Sequence, residues 1–314
     1  MKKNFISGFL TLTILFLTTL SCTPLPAEPT SAGPTLPRVL VVESFLADIT
    51  RNIAGDRLTV ETLIPLGVDP HAFEPSPRDI AHIADSTVLV INGAGFEGWL
   101  AETLANAGGQ RSVIEAAANL QSRTPREGEE AVMNPQDKDP HFWLDPNNVI
   151  HYAENIRDGL TAADPAGKEI YLSNAADYIA QLKALDAEIQ TQVEQIPPEK
   201  RLIVTNHESF GYFADRYDFT IIGTVVPSVS SDSSPSAQQL ARLIDHIRET
   251  GASALFLETG TNPKLAEQIA ADTNIRVITG LHTHSLTKAD GPAATYIEMM
   301  RDNTRLIVEA LRAK

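Results

Sequence analysis

The chain has 314 residues, 43% of them apolar, with a formal net charge of −15 and a single cysteine. That apolar content fills one large core or two smaller ones, which excludes a disordered chain. The acidic balance, with no basic run beyond Lys2-Lys3, excludes a general nucleic-acid surface, and one cysteine excludes both an internal disulfide and a cysteine-rich metal site.

Met1-Lys2-Lys3 leads into an apolar stretch from Phe5 to Leu20, the charged head and hydrophobic body of an export signal over residues 1–21. Cys22 follows, and then a segment to Pro37 rich in Pro, Thr, Ala and Ser, which predicts an extended tether over residues 22–37. This arrangement resembles a bacterial lipoprotein signal, in which Cys22 becomes the lipid-bearing first residue, although Thr19-Leu20-Ser21 lacks the usual aliphatic residue three places before the cysteine. The folded part is thus expected outside the cytoplasm, anchored through Cys22. No later segment is long and apolar enough to span a bilayer.

From Arg38 the pattern alternates. Arg38–Glu43, Val60–Ile64 and Thr87–Asn92 read as strands, while Ser44–Ala54 and the stretch near Arg78–Ala84 read as helices. Such alternation predicts βαβ units and a mostly parallel sheet, whose ligand sites lie beyond the carboxyl ends of the strands. Two turn-rich loops occupy such places, Pro65–Pro77 with Asp69-Pro70-His71, and Asn92–Trp99 with its three glycines. A polar run from Gln121 reads as an exposed loop, and Asp139-Pro140-His141 then repeats the earlier triplet ahead of a helix from about Asn147.

Asp164 to Ile196 reads as one long amphipathic helix, with Leu172, Ala175, Ile179, Leu182, Leu185, Ile189, Val193 and Ile196 on one stripe. Asp164-Pro165 serves as cap and first turn, and Pro197-Pro198 stops the run. Beyond it the alternation resumes: strands at Arg201–Asn206, Phe219–Val225, Ala254–Glu258 and Arg276–Ile278, and helices at Gly211–Arg216, Ser236–Thr250, near Pro263–Asp272 and at Pro292–Leu311. The expected architecture is α/β, with two similar parallel-sheet lobes, residues 38–163 and 197–314, joined by a single rigid helix over residues 164–196. Each chain supplies both lobes, so a monomer suffices.

His71, His141, His207 and either His282 or His284 each sit where a strand or Pro-rich turn hands over to a helix, whereas His82, His151 and His246 lie inside helical patterns. Imidazole is a ligand for zinc and other borderline metals, and two histidines from each lobe meeting in the crevice compose a shared metal site. Asp69 and Asp139 also read as simple turn caps. Trp99, Trp143 and Phe210 read either as a shield over the crevice or as core.

The ordered combination of Gly67-Val68-Asp69-Pro70-His71 with Glu74-Pro75, Asn92-Gly93 with Trp99, Asp139-Pro140-His141 with Trp143-Leu144-Asp145-Pro146, Asn206-His207 with Phe210, Glu258, and Pro292–Tyr296 with Met299-Met300 resembles the metal-binding component of zinc or manganese ABC importers, across essentially the whole chain. The resemblance implies two α/β lobes, one connecting helix and one metal ion between the lobes, held by His71, His141 and His207. Its fourth position, often Asp or Glu before Ser-Leu, falls here on His284. His282, or water, is the alternative fourth ligand. Four neutral rings favour zinc over manganese and leave its charge to be offset from behind by Glu258 or Glu208. The acidic loop before His141 lacks the histidine-rich insertion of some zinc-importing relatives.

The expected function is capture of extracytoplasmic zinc and its delivery to an ABC permease in the membrane, with manganese or iron as the alternative cargo. A zinc hydrolase would need three histidines, an open position and a nearby glutamate, but no zincin or Gly-x-Ser-x-Gly motif is present. An organic cofactor or chelate is the remaining alternative, since other importer components also use two lobes and a helical connector.

Overall fold

A computed structural model of the protein describes residues 36–123, 138–231 and 233–312. The expected signal, Cys22, and most of the tether and of the polar loop before His141 lie outside the described residues. No described helix is long and apolar enough to cross a membrane.

Among the described residues, eight strands form two separate four-stranded sheets of the same topology. The first contains β1 (Val39–Val41), β2 (Val60–Thr62), β3 (Val88–Ile91) and β4 (Ser112–Glu115), in the order β2-β1-β3-β4 and parallel throughout. The second contains β5 (Leu202–Thr205), β6 (Thr220–Thr224), β7 (Ala254–Glu258) and β8 (Arg276–Leu281), in the order β6-β5-β7-β8 and again parallel. Central strands β1 and β7 are buried along their whole length, as sheets covered on both faces require. In each sheet the order reverses beside the first strand, and that switch point opens a crevice at the carboxyl ends.

The helices are α1 (Ser44–Ala54), α2 (Pro77–Asp85), α3 (Leu100–Ala107), α4 (Pro146–Ala163), α5 (Lys168–Val193), α6 (Gly211–Tyr217), α7 (Ala237–Thr250), α8 (Lys264–Thr273) and α9 (Tyr296–Arg312). Ser76 and Ser236 open α2 and α7 with capping boxes, and left-handed Gly251 ends α7. One apolar cluster packs under α2 and α3 on the outer face of the first sheet, and another under α7 and α8 on the outer face of the second. The inner faces share a single core, which runs from Val39 and Phe45 through α4 and α5 to Phe256 and Met299.

The connector α5 crosses that shared core. At 1.5 Å per residue, its 26 residues span about 39 Å. Its buried side is Tyr171, Ala175, Tyr178, Leu182, Leu185, Ile189 and Val193, in steps of three and four. Two members of the expected stripe differ: Leu172 is 38% exposed and Ile179 half-buried, because Tyr171 and Tyr178 hold the inward positions one residue earlier. The helix also begins later than expected, since Pro165–Gly167 forms a separate 3-10 turn. Asp164 makes no side-chain cap there; its carboxylate accepts from Arg57 Nε at 2.7 Å and from Tyr171 O–H at 2.6 Å, tying the start of the connector to the first lobe. Because both inner faces pack on one helix through one core, large rotation of one lobe against the other would break that core.

Candidate metal centre

All four chemically informative histidines reach the crevice. His71 follows β2, His207 follows β5, His284 follows β8, and His141 precedes the 3-10 turn Phe142–Leu144 that leads into α4. The Asp-Pro-His triplets place their histidines by the same device. Asp69 Oδ1 accepts the His71 backbone N–H at 2.9 Å, and Asp139 Oδ1 accepts that of His141 at 2.9 Å, closing an Asx turn each time. The turn-cap reading of the aspartates therefore holds together with their proximity to the rings.

The candidate ligand atoms of His71, His141, His207 and His284 all lie within 4.8 Å of one another. His141 Nε2 is 3.3 Å from the Nε2 of each of the other three. A ring nitrogen offers one hydrogen or one lone pair, so at most one of those approaches is a hydrogen bond. Four nitrogens at 2.0–2.1 Å from a central zinc ion would stand about 3.3–3.4 Å apart along the edges of a tetrahedron. The spacing suits a shared cation and does not suit mutual hydrogen bonding. His141, His207 and His284 are buried and His71 half-buried.

His282 is close in sequence to the group but outside it. Its backbone N–H donates to Asn303 Oδ1 at 2.8 Å, its carbonyl accepts from Asn303 Nδ2 at 2.7 Å, and its ring turns toward Thr259. His82 and His151 stand beside Glu61 and Glu154, and neither they nor His246 join the cluster.

Carboxylates back the rings. Asp139 Oδ1 is 2.9 Å from His141 Nδ1, Glu258 Oε1 is 2.6 Å from His207 Nδ1, and Glu258 Oε2 is 3.6 Å from His284 Nδ1. Of the two glutamates the sequence offers, Glu258 meets the rings of His207 and His284. Thr283, which the sequence reading passed over between its two histidines, donates from Oγ1 to Glu258 Oε2 at 2.7 Å. Phe96, also passed over, packs edge-on against His71 at 4.8 Å. Trp99 turns away and donates to Pro70 O at 3.1 Å. Trp143 and Phe210 are core residues, 0% and 1% exposed.

Burial sets the charge state of the rings. It lowers His71 to about 4, with the neighbouring His207 adding to the effect, and it lowers His141 and His284 well below the ordinary histidine value, so all three are neutral at pH 7. Burial also opposes charge on His207, but Glu258 outweighs it and raises that ring. Burial likewise disfavours the Glu258 anion, yet His207 brings it down to about 2, while burial pushes Asp139 up to about 7. At pH 6 the metal-free site accordingly holds about two protons, one on the His207–Glu258 pair and one on the Asp139–His141 pair. Both raised groups keep their protons at low pH and shed them as pH rises, so an ion binds more tightly with rising pH through this window. Calorimetry in buffers of different protonation enthalpy should find about two protons released per ion at pH 6, and fewer as the pH rises through the Asp139 value of about 7. Release of four at pH 6 would contradict these assignments.

The mouth of the site is a cavity of about 440 Å³ whose lining includes Asp69, Asn206, Glu258 and His284, at the carboxyl ends of the second sheet. Two hydrogen bonds cross it from lobe to lobe: Gly67 N–H donates to Ser285 Oγ at 2.8 Å, and Ser231 O–H donates to Asp69 Oδ2. Gly67 has φ +81°, a left-handed conformation that disfavours other residues there.

The chain is similar to known proteins over most of its length. The family model described as zinc-uptake complex component A, periplasmic (ZnuA), matches residues 39–310. The manganese-binding lipoprotein MntA of Halalkalibacterium halodurans is 33% identical over 274 residues, covering 87% of this chain and 88% of that protein. The manganese ABC transporter substrate-binding lipoprotein PsaA of Streptococcus pneumoniae is 31% identical over 283 residues, with 87% and 88% covered. Among solved structures, the manganese-bound periplasmic metal-binding protein of Candidatus Liberibacter asiaticus superposes with a TM-score of 0.78 at 29% identity, covering 88% of this chain and 99% of that one. The periplasmic zinc-binding protein TroA of Treponema pallidum shares the fold at a TM-score of 0.78 and 24% identity, with the same coverage.

Proposed function

The chain belongs to the zinc-uptake component A family of extracytoplasmic metal-binding proteins of ABC importers, and on that premise we propose that His71, His141, His207 and His284 together hold its cargo and that this cargo is zinc. The protein is a binding component, not an enzyme, and delivers a divalent metal to a membrane permease. The observation behind the zinc reading is the donor set: four imidazoles converge, with no carboxylate oxygen among them. Nitrogen donors in tetrahedral array suit zinc, whereas manganese is better served by carboxylate, carbonyl and water oxygens.

Manganese is the second reading, and the names of MntA and PsaA favour it. The names of these relatives do not single out zinc, whereas the donor set of this chain points to it. The test is competitive: the purified protein is equilibrated with equal zinc and manganese, and the retained metal is measured. One zinc per chain supports the reading; retained manganese replaces it with the second.

Binding exchanges the ion's water for ring nitrogens, and release requires the rings to part. With both lobes packed on α5, the permease is expected to loosen the site through the loops that end in His71 and His284, breaking the Gly67–Ser285 and Asp69–Ser231 hydrogen bonds. Anchoring by lipid on Cys22 completes the proposal and keeps the protein beside its permease.

A further inference from the structure

A divalent ion held by four neutral imidazoles keeps its full double charge inside a buried pocket, where uncompensated charge is costly. Asp139 and Glu258 set carboxylates against the backs of the rings, and Asp69 lines the mouth of the site. The Oδ1 of Asp139 is shared between the ring of His141 and the backbone N–H that closes the turn. Glu258 is placed differently. It ends β7 at the point where the register with β8 shifts, is 8% exposed, and sets one oxygen against His207 and the other toward His284. Thr283 and Ser209 donate to it at 2.7 and 3.4 Å, fixing both oxygens without neutralising them. Its ion pairs among the described residues run to those two histidines alone.

From this geometry we infer that Glu258 sets how tightly the site holds its ion, supplying across His207 and His284 the negative charge that the converging atoms lack, so that an all-nitrogen site can hold a dication. The inference rests on the reading that the four histidines hold the cargo. It separates two roles that one carboxylate can play. As a hydrogen-bond acceptor Glu258 would only orient the ring of His207, and glutamine, which keeps one accepting oxygen, would still serve it. As the compensating charge it cannot be replaced by a neutral group, but the charge can be moved.

The experiment compares the full chain with E258Q, H284D and E258Q/H284D, reading zinc and manganese affinity by competition with a chromophoric chelator, with near-ultraviolet circular dichroism as the check on folding. E258Q should weaken zinc binding by about 10–100-fold, the range for loss of a group supporting a metal ligand. H284D places a carboxylate among the converging atoms, so adding E258Q to it should cost less than threefold for zinc, a strong non-additivity. The double variant should also hold manganese better relative to zinc than the parent does. Equal losses from E258Q in both backgrounds would overturn the inference in favour of ring placement, and an E258Q protein with parental affinity would overturn it outright. Should E258Q not fold, E258D keeps the charge but draws it back; retained affinity supports the charge role and a 10-fold loss or more defeats it. A parent that retains no ion fails the underlying reading instead, so the two failures are distinguishable.

Discussion

Replacing His141 with alanine will lower metal affinity by about 100–1000-fold. Binding of a structural zinc ion by four ligands is worth about 10–16 kcal/mol, so one ligand accounts for roughly 3–4 kcal/mol, or two to three powers of ten. His141 is the ring whose Nε2 stands 3.3 Å from each of the other three, so its loss opens the group from the middle. It also strips Asp139, which is 1% exposed, of its ring partner. Chelator competition measures the change, with H82A as the control, because His82 lies on α2 beside Glu61 and outside the group. A loss under tenfold would show that the ion is held elsewhere.

Trp143 is expected to be the largest single contributor to stability near the site. It is fully buried, stacks on Phe45 of α1 at 4.4 Å, meets Phe96 at 4.8 Å, and donates from Nε1 to Thr283 O at 2.7 Å. Its own carbonyl accepts from Tyr296 O–H of α9 at 2.7 Å. One side chain thus joins the first lobe to the loop that bears His284. W143A should cost about 3–5 kcal/mol in urea unfolding, from lost burial and the cavity left behind. W143F keeps most of the packing but leaves Thr283 O without its donor, and should cost about 1–3 kcal/mol. A cost under about 1 kcal/mol for W143A would mean that the lobes are held without it.

The sequence makes the repeated strand–helix alternation and the four histidines visible because both depend on local signals. Hydrophobic runs bounded by turn residues mark β1, β3, β5 and β7, and the Asp-Pro-His triplets announce Asx turns at strand ends. What stayed hidden depends on distant partners. α3 and β4 passed unread: α3 buries only Leu100 and Thr103, and edge strand β4 buries only Ile114. On α5 the aliphatic Leu172 and Ile179 outweigh Tyr171 and Tyr178 by hydrophobicity, yet the tyrosines keep the steps of the buried side, and Tyr171 spends its hydroxyl on Asp164.

The choice between His282 and His284 illustrates the same limit within the site. Two histidines two residues apart look equivalent in a loop. The distinction comes from Asn303 on α9, which grips both the N–H and the carbonyl of His282 and leaves His284 to face the other rings. Glu258 shows the same dependence on the fold, since it is β7 that carries it to the rings.

The central claim is that four ring nitrogens hold one ion between the lobes, and the most direct measurement is zinc K-edge X-ray absorption on the protein loaded with one equivalent of zinc. The account predicts four nitrogen neighbours at about 2.0–2.1 Å, with the outer-shell scattering pattern of imidazole, and one fewer imidazole in H284A. Three imidazoles with an oxygen neighbour in the parent, or a spectrum unchanged in H284A, would contradict it.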